Sequence, residues 1–154
     1  ATESLRKIDP GNQKIIDSLV YLLESTSDDK TRTQAASSLE KIGMGNQKAI
    51  DGLVQLLGSN SDEKTRALAA KILEKIGRSN EYAIDGLVQL LGSTSALWIR
   101  REVAESLVKI GRGSQKAIDS LVQLLEYIYD DDTGWIAAET LEKLAEAIRK
   151  QLMI

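Results

Sequence analysis

Between residues 45 and 78 the apolar positions form two helical patterns with a break between them. Ile50, Leu53, Val54 and Leu57 fall at i, i+3, i+4 and i+7, one face of an α-helix. Asn46 stands just ahead of that face, in the place of an N-cap. Residues 58–61, Gly-Ser-Asn-Ser, interrupt the periodicity. Asp62 and Glu63 then open a second helix, where negative charge suits the positive end of the helix dipole. Its stripe is Thr65, Ala69, Leu73 and Ile76, and Gly77 follows at the C′ position as a helix-ending glycine.

The same plan recurs along the whole chain of 154 residues. Lys-Ile pairs occur at 7–8, 41–42, 75–76 and 109–110, and Lys143-Leu144 continues the series in steps of 34 residues. Residues 45–57 match 113–125 at 11 of 13 positions and 79–91 at 10 of 13, a closeness that fits either recent duplication or consensus design. Gly43 and Gly111 stop their helices as Gly77 does. The pattern predicts a half unit over 1–10, ended by Asp9-Pro10, then helix pairs over 11–44, 45–78 and 79–112 and a capping pair over 113–154. The half unit reads as a cut from a longer chain or a built cap. In the last helix Ala137, Leu141, Leu144, Ile148 and Leu152 are the expected buried stripe. Two amphipathic helices cannot hide both apolar faces alone, whereas stacked identical pairs share one continuous core. The fold class is therefore all-α, and residues 1–154 form one repeat domain.

The stretch "DEKTRALAAKILEKIG" resembles the second helix of a HEAT repeat: an acidic turn, an Arg, a pair of small residues, Leu, then Ile-Gly. The resemblance covers nearly the whole chain. It implies a right-handed α-solenoid of antiparallel helix pairs whose second helices line the concave side. Tetratricopeptide repeats share the 34-residue period, but their Trp, Gly-Tyr and Pro signature is absent. In the HEAT family an Asp in the turn and an Arg on the second helix form a ladder between units. Asp28 with Arg32 and Asp62 with Arg66 match it. Arg100 keeps the Arg but Ala96 replaces the Asp, and Asp130 keeps the Asp but Gly134 replaces the Arg. The ladder is expected to fail in the last two units.

Composition removes whole classes of chemistry. The chain has no Cys and no His, so disulfides, thiolate nucleophiles, Cys/His metal sites and histidine acid–base catalysis are excluded. Nothing calls for a cofactor or a metal; Asp130-Asp131-Asp132 reads as helix N-terminal charge rather than a cation site. The net charge is −3 with acids and bases mixed, which argues against a nucleic-acid or membrane surface. No run of about 18 apolar residues and no signal peptide is seen, so a cytoplasmic location is expected.

Identity between units serves the architecture, so information about function lies where the units disagree. The second helices differ most at 30/64/98/132, 33/67/101/135 and 37/71/105/139, opposite the apolar stripe and hence facing out. There the third unit carries Trp98, Arg101 and Glu105, and the fourth carries Asp132, Trp135 and Glu139. Tyr127, Ile128 and Tyr129 replace the Ser-Thr-Ser of the preceding unit. Trp, Tyr and Arg on an exposed face are the usual composition of a binding hot spot. Trp98, Arg101, Glu105, Tyr129, Asp132 and Trp135 are thus the candidate protein- or peptide-binding residues, with Trp98, Arg101, Tyr129 and Trp135 expected in one cluster. No catalytic residue is assigned. The alternatives are a homotypic assembly module, such as a homodimer, and HEAT-like enzymes such as DNA glycosylases or bilin lyases. The glycosylase reading suffers from the sparse inner basic residues, Lys30, Lys64, Lys71 and Arg101.

Overall fold

The computed structural model describes residues 10–58, 61–128 and 130–153. Among them are eight α-helices in chain order and no strand. They are α1 (Pro10–Ser25), α2 (Asp29–Ile42), α3 (Gln47–Gly58), α4 (Glu63–Ile76), α5 (Glu81–Ser93), α6 (Leu97–Ile110), α7 (Gln115–Tyr127) and α8 (Asp131–Leu152). The expected half unit lies almost entirely outside the described residues. No helix among those described is long and apolar enough to cross a membrane.

The helices begin and end where side chains supply the missing hydrogen bonds. The Asp62 carboxylate accepts the Thr65 N–H at 2.7 Å, and Asn46 Oδ1 accepts the Ala49 N–H at 3.0 Å. Asp28, Asn80, Ser114 and Asp130 cap their helices in the same way. Ala96 is the exception, with no side-chain cap on α6.

The stop glycines work differently from a left-handed C′ residue. Gly43, Gly77 and Gly111 have φ of −88°, −102° and −90°, which any residue adopts. A Cβ on Gly77 would stand 2.9 Å from its own helix's Leu73 carbonyl and 3.2 Å from Ile110 Cδ1 of the next unit. Close approach, rather than torsion, requires the glycine there. The left-handed conformation falls two residues later, at Gly45 (φ 70°), Ser79 (φ 59°) and Gly113 (φ 75°).

The helices stack as the period requires. Each packs on its pair partner; first helices α1, α3, α5 and α7 pack side by side in one layer, and second helices α2, α4, α6 and α8 in another. One core runs through the stack. Thr65, Ala69, Leu73 and Ile76 are all buried, as the helical phase predicted, and Thr65 Oγ1 donates to the Leu23 carbonyl across the stack at 3.3 Å. In α8, Ala137 and Leu144 are buried and Leu141 and Ile148 half-buried, but Leu152 is 81% exposed. Leu152 lies eight residues beyond Leu144, which aligns with Ile42, Ile76 and Ile110 at the ends of the other second helices. It has therefore run past the layer that could cover it.

Candidate functional site

The second helices run parallel, so their N-terminal ends form one edge of the layer and their C-terminal ends the other. Along the first edge, side chains of consecutive units are cross-linked. Buried Arg32 donates from Nη2 to the Thr26 carbonyl at 2.7 Å and reaches the Asp62 carboxylate of the next unit at 3.6 Å. Arg100 repeats this two units on, with Nε donating to the Thr94 carbonyl at 2.9 Å and Nη1 2.9 Å from Asp130. The rungs therefore join an Arg to the Asp of the following unit. The expectation that the ladder fails in the last two units is corrected on this point: Asp130 serves Arg100, and the position lacking a carboxylate is Ala96, which faces the unit of Arg66. Gly134 removes an Arg but leaves this rung intact. Its missing side chain faces Ile128 Cγ2, 3.6 Å from where a Cβ would sit.

The cap geometry sets the electrostatics of that edge. The Asp62 carboxyl is held below the usual carboxylate range, first by the Thr65 N–H and hydroxyl and then by Arg32. Asp28 is lowered by Thr31, and Asp130 by the Thr133 hydroxyl and N–H together with Arg100. Asp130 thus serves as a helix cap and ion-pair partner. Among the described residues no group of three or more His, Cys, Asp or Glu converges to hold a metal.

The candidate binding residues fall on this layer as follows. Trp98, in the first turn of α6, is 49% exposed and lines a depression of about 610 Å³ with Asp29, Arg32, Asp62, Glu63 and Lys64 of the first two units. Trp135, in the first turns of α8, is 61% exposed and lines a smaller cavity of about 180 Å³ with Arg101, Glu105, Glu139 and Lys143. Arg101, Glu105 and Trp135 are thus brought together, while Trp98 lines a different depression. Each tryptophan borders residues of the preceding unit or units. Asp132 is exposed at the start of α8. Tyr129 lies outside the described residues. Of the outward positions, Ala67 is buried at 7%, because so short a side chain is covered by its flanking neighbours.

Ion pairs also cross the layer further along. Lys71 meets Glu102 at 3.4 Å, and Lys109 meets Glu74 at 2.9 Å. The hydrogen bond to Glu74 raises the Lys109 pKa above the usual lysine value. A further cavity, about 620 Å³, is at the C-terminal edge and was not anticipated from the sequence. It is lined by Arg78, Arg112, Lys143 and Lys150, and the recurrence of basic residues at 75/109/143 and 78/112 was the available signal.

A family model described as HEAT repeats matches residues 1–74 and again residues 50–142. Comparison with curated proteins returns no match.

Proposed function

The chain belongs to the HEAT-repeat family, whose repeats act as protein-interaction scaffolds, and on that basis we propose that it binds a protein or peptide through the outward face of α6 and α8. What supports this reading above all is the exposure of both tryptophans of the chain, at 49% and 61%, on adjacent second helices. Large aromatic rings left in water lose the stabilisation that burial would bring, and they are enriched where a partner later covers them. Arg101 and Glu105 beside Trp135 supply polar contacts at the rim of such an anchor. Trp98 forms a second anchor point in a depression lined by both signs of charge, Asp29, Asp62 and Glu63 with Arg32 and Lys64, which supplies polar partners around the indole. The reading has no catalytic step. The concave placement of this face and the capping role of residues 113–154 are parts of the same proposal.

The test is selection of binding peptides on the intact chain, followed by titration of the winners against Trp98→Ala/Trp135→Ala. The double variant should bind at least ~2 kcal/mol more weakly, the hot-spot scale, and melt at nearly the same temperature. Unchanged affinity would remove the support for this face.

A further inference from the structure

The C-terminal edge of the second helices carries a surface that the tryptophan face does not include. Helices α2, α4 and α6 are each 14 residues long and stop at a glycine. Helix α8 has Ala145 at the equivalent position and continues to Leu152, 22 residues in all. The extra two turns run past the edge of the layer, close enough to the α6–α7 turn that a Cβ on Gly113 would lie 3.7 Å from Gln151 Oε1. Between this extension and the turns after α4 and α6 lies the groove of about 620 Å³.

Its walls are cationic. Arg78 comes from the turn after α4, Arg112 from the turn after α6, and Lys143 and Lys150 from α8. Glu146 is the one acid among the lining residues. The floor includes Val108 and Ala147, so aliphatic surface lies between the charges. Basic residues at helix C-termini ordinarily compensate the helix dipole, and Lys75 and Lys109 in the last turns of α4 and α6 do so. Arg78 and Arg112 lie beyond those ends. Neither they nor Lys150 makes an ion pair among the described residues, whereas Lys109 is neutralised by Glu74. A second depression of about 370 Å³ shares Arg78 and Arg112 and extends the positive surface back toward Lys75. In a chain of net charge −3, this local excess is a departure from the whole.

We propose that this groove docks an acidic peptide segment of a partner protein. Carboxylates would pair with Arg78, Arg112 and Lys150, and their methylene stems would lie on Val108 and Ala147. A phosphodiester chain fits less well. It requires a continuous cationic track, and here the cations are few, with Glu146 among them and Glu74 set behind Lys109. The groove borders the Trp135 cavity, sharing Val108 and Lys143 with it, but neither tryptophan lines the groove and none of Arg78, Arg112 and Lys150 lines that cavity, so either site can fail without the other.

The experiment uses the full chain and a fluorescein-labelled ten-residue polyglutamate probe, followed by anisotropy at low and physiological salt. The expected result is saturable binding that weakens with salt. Arg78→Gln/Arg112→Gln/Lys150→Gln should lower affinity by about tenfold or more, as when charged contacts to a complementary partner are removed. Glu146→Gln should tighten binding, a gain that misfolding cannot produce. Trp98→Ala/Trp135→Ala should bind polyglutamate as the unmodified chain does. Equal affinity of the triple variant, or weaker binding by Glu146→Gln, would overturn the proposal. So would a ten-nucleotide oligothymidylate that binds as tightly as the peptide and depends on the same three cations.

Discussion

Substituting Ala96→Asp should stabilise the protein, and the amount follows from the units on either side. At the equivalent positions, Asp62 and Asp130 each accept a helix N–H and face the Arg of the preceding unit, Arg32 and Arg100. At position 96 the backbone already has the extended conformation of an N-cap, φ −80° and ψ 111°, so an aspartate fits without rearrangement. Replacing Ala by Asp at an N-cap contributes about 1 kcal/mol, within a range of about 0.5–2. The carboxylate would also face Arg66, the equivalent of Arg32 and Arg100, and a partly exposed pair of this kind adds about 0.2–1 kcal/mol. Ile99 supplies no hydroxyl where Thr65 and Thr133 do, so that contribution is missing. The expected gain is about 1–2 kcal/mol, or a few degrees in melting temperature for a chain of this size. Chemical denaturation monitored by circular dichroism measures it. Ala96→Asn separates the parts, since it caps without charge and should retain about half the gain. The Asp advantage should disappear in acid, because a carboxylate with a lowered folded pKa stabilises only above its unfolded pKa and loses that effect as pH falls through the folded one. An Asp variant no more stable than the parent at pH 7 would refute the ladder geometry.

Leu73→Ala should cost about 2–5 kcal/mol, because Leu73 is fully buried, whereas Lys71→Ala removes one exposed pair with Glu102 and should cost less than about 1 kcal/mol; denaturant midpoints compare the two. Ser79→Gly should raise stability by about 1 kcal/mol, since Ser79 holds the left-handed conformation that Gly45 and Gly113 occupy in the neighbouring units; thermal melts test this, and a loss would show that the serine hydroxyl matters more than its torsion. Asp28, Asp62 and Asp130 all have lowered pKa values, so stability should hold as pH falls to about 5 and decline below it; Asp130→Asn should be less stable at pH 7 and show a shallower acid decline in pH-dependent denaturation. Tryptophan emission of the free chain should be readily quenched by acrylamide, given the exposure of both rings.

The helices and their phases were legible in the sequence because they depend on contacts within one unit. The stripe of Thr65, Ala69, Leu73 and Ile76 needed only the helical period, and the cap at Asn46 and the acidic helix start at Asp62 needed only a few residues of context. What was misjudged lies between units. The role of Gly77 is set by Ile110, 33 residues away, and the partner of Arg100 is Asp130, not a residue of its own turn. Aligning units on one another displays the equivalence of positions but not which unit each side chain leans toward. For the same reason Trp98 and Trp135, expected in one cluster, border different depressions: each occupies a different turn and borders residues of preceding units. The basic groove was missed because it arises where α8 departs from the repeat, and its cations are far apart in sequence.

The joint between units also has a symmetry. At each one, a glycine at the end of a second helix is a notch, and the next unit fills it: Ile76 against Gly43, Ile110 against Gly77, Leu144 against Gly111. Notch and tooth lie on opposite sides of a unit, as do the donating Arg and the receiving Asp. Such a contact is heterologous. Two copies related by a two-fold axis would bring notch to notch or tooth to tooth, and neither pairing fits. Reusing such a joint between molecules would be head-to-tail addition, giving a ring where the rotation closes and an open filament where it does not. The last unit, however, offers neither half of it: Ala145 stands where the notch glycine would be, α8 runs on through that position, and Gly134 replaces the donating Arg. A closed dimer of this protein would have to form through some other surface.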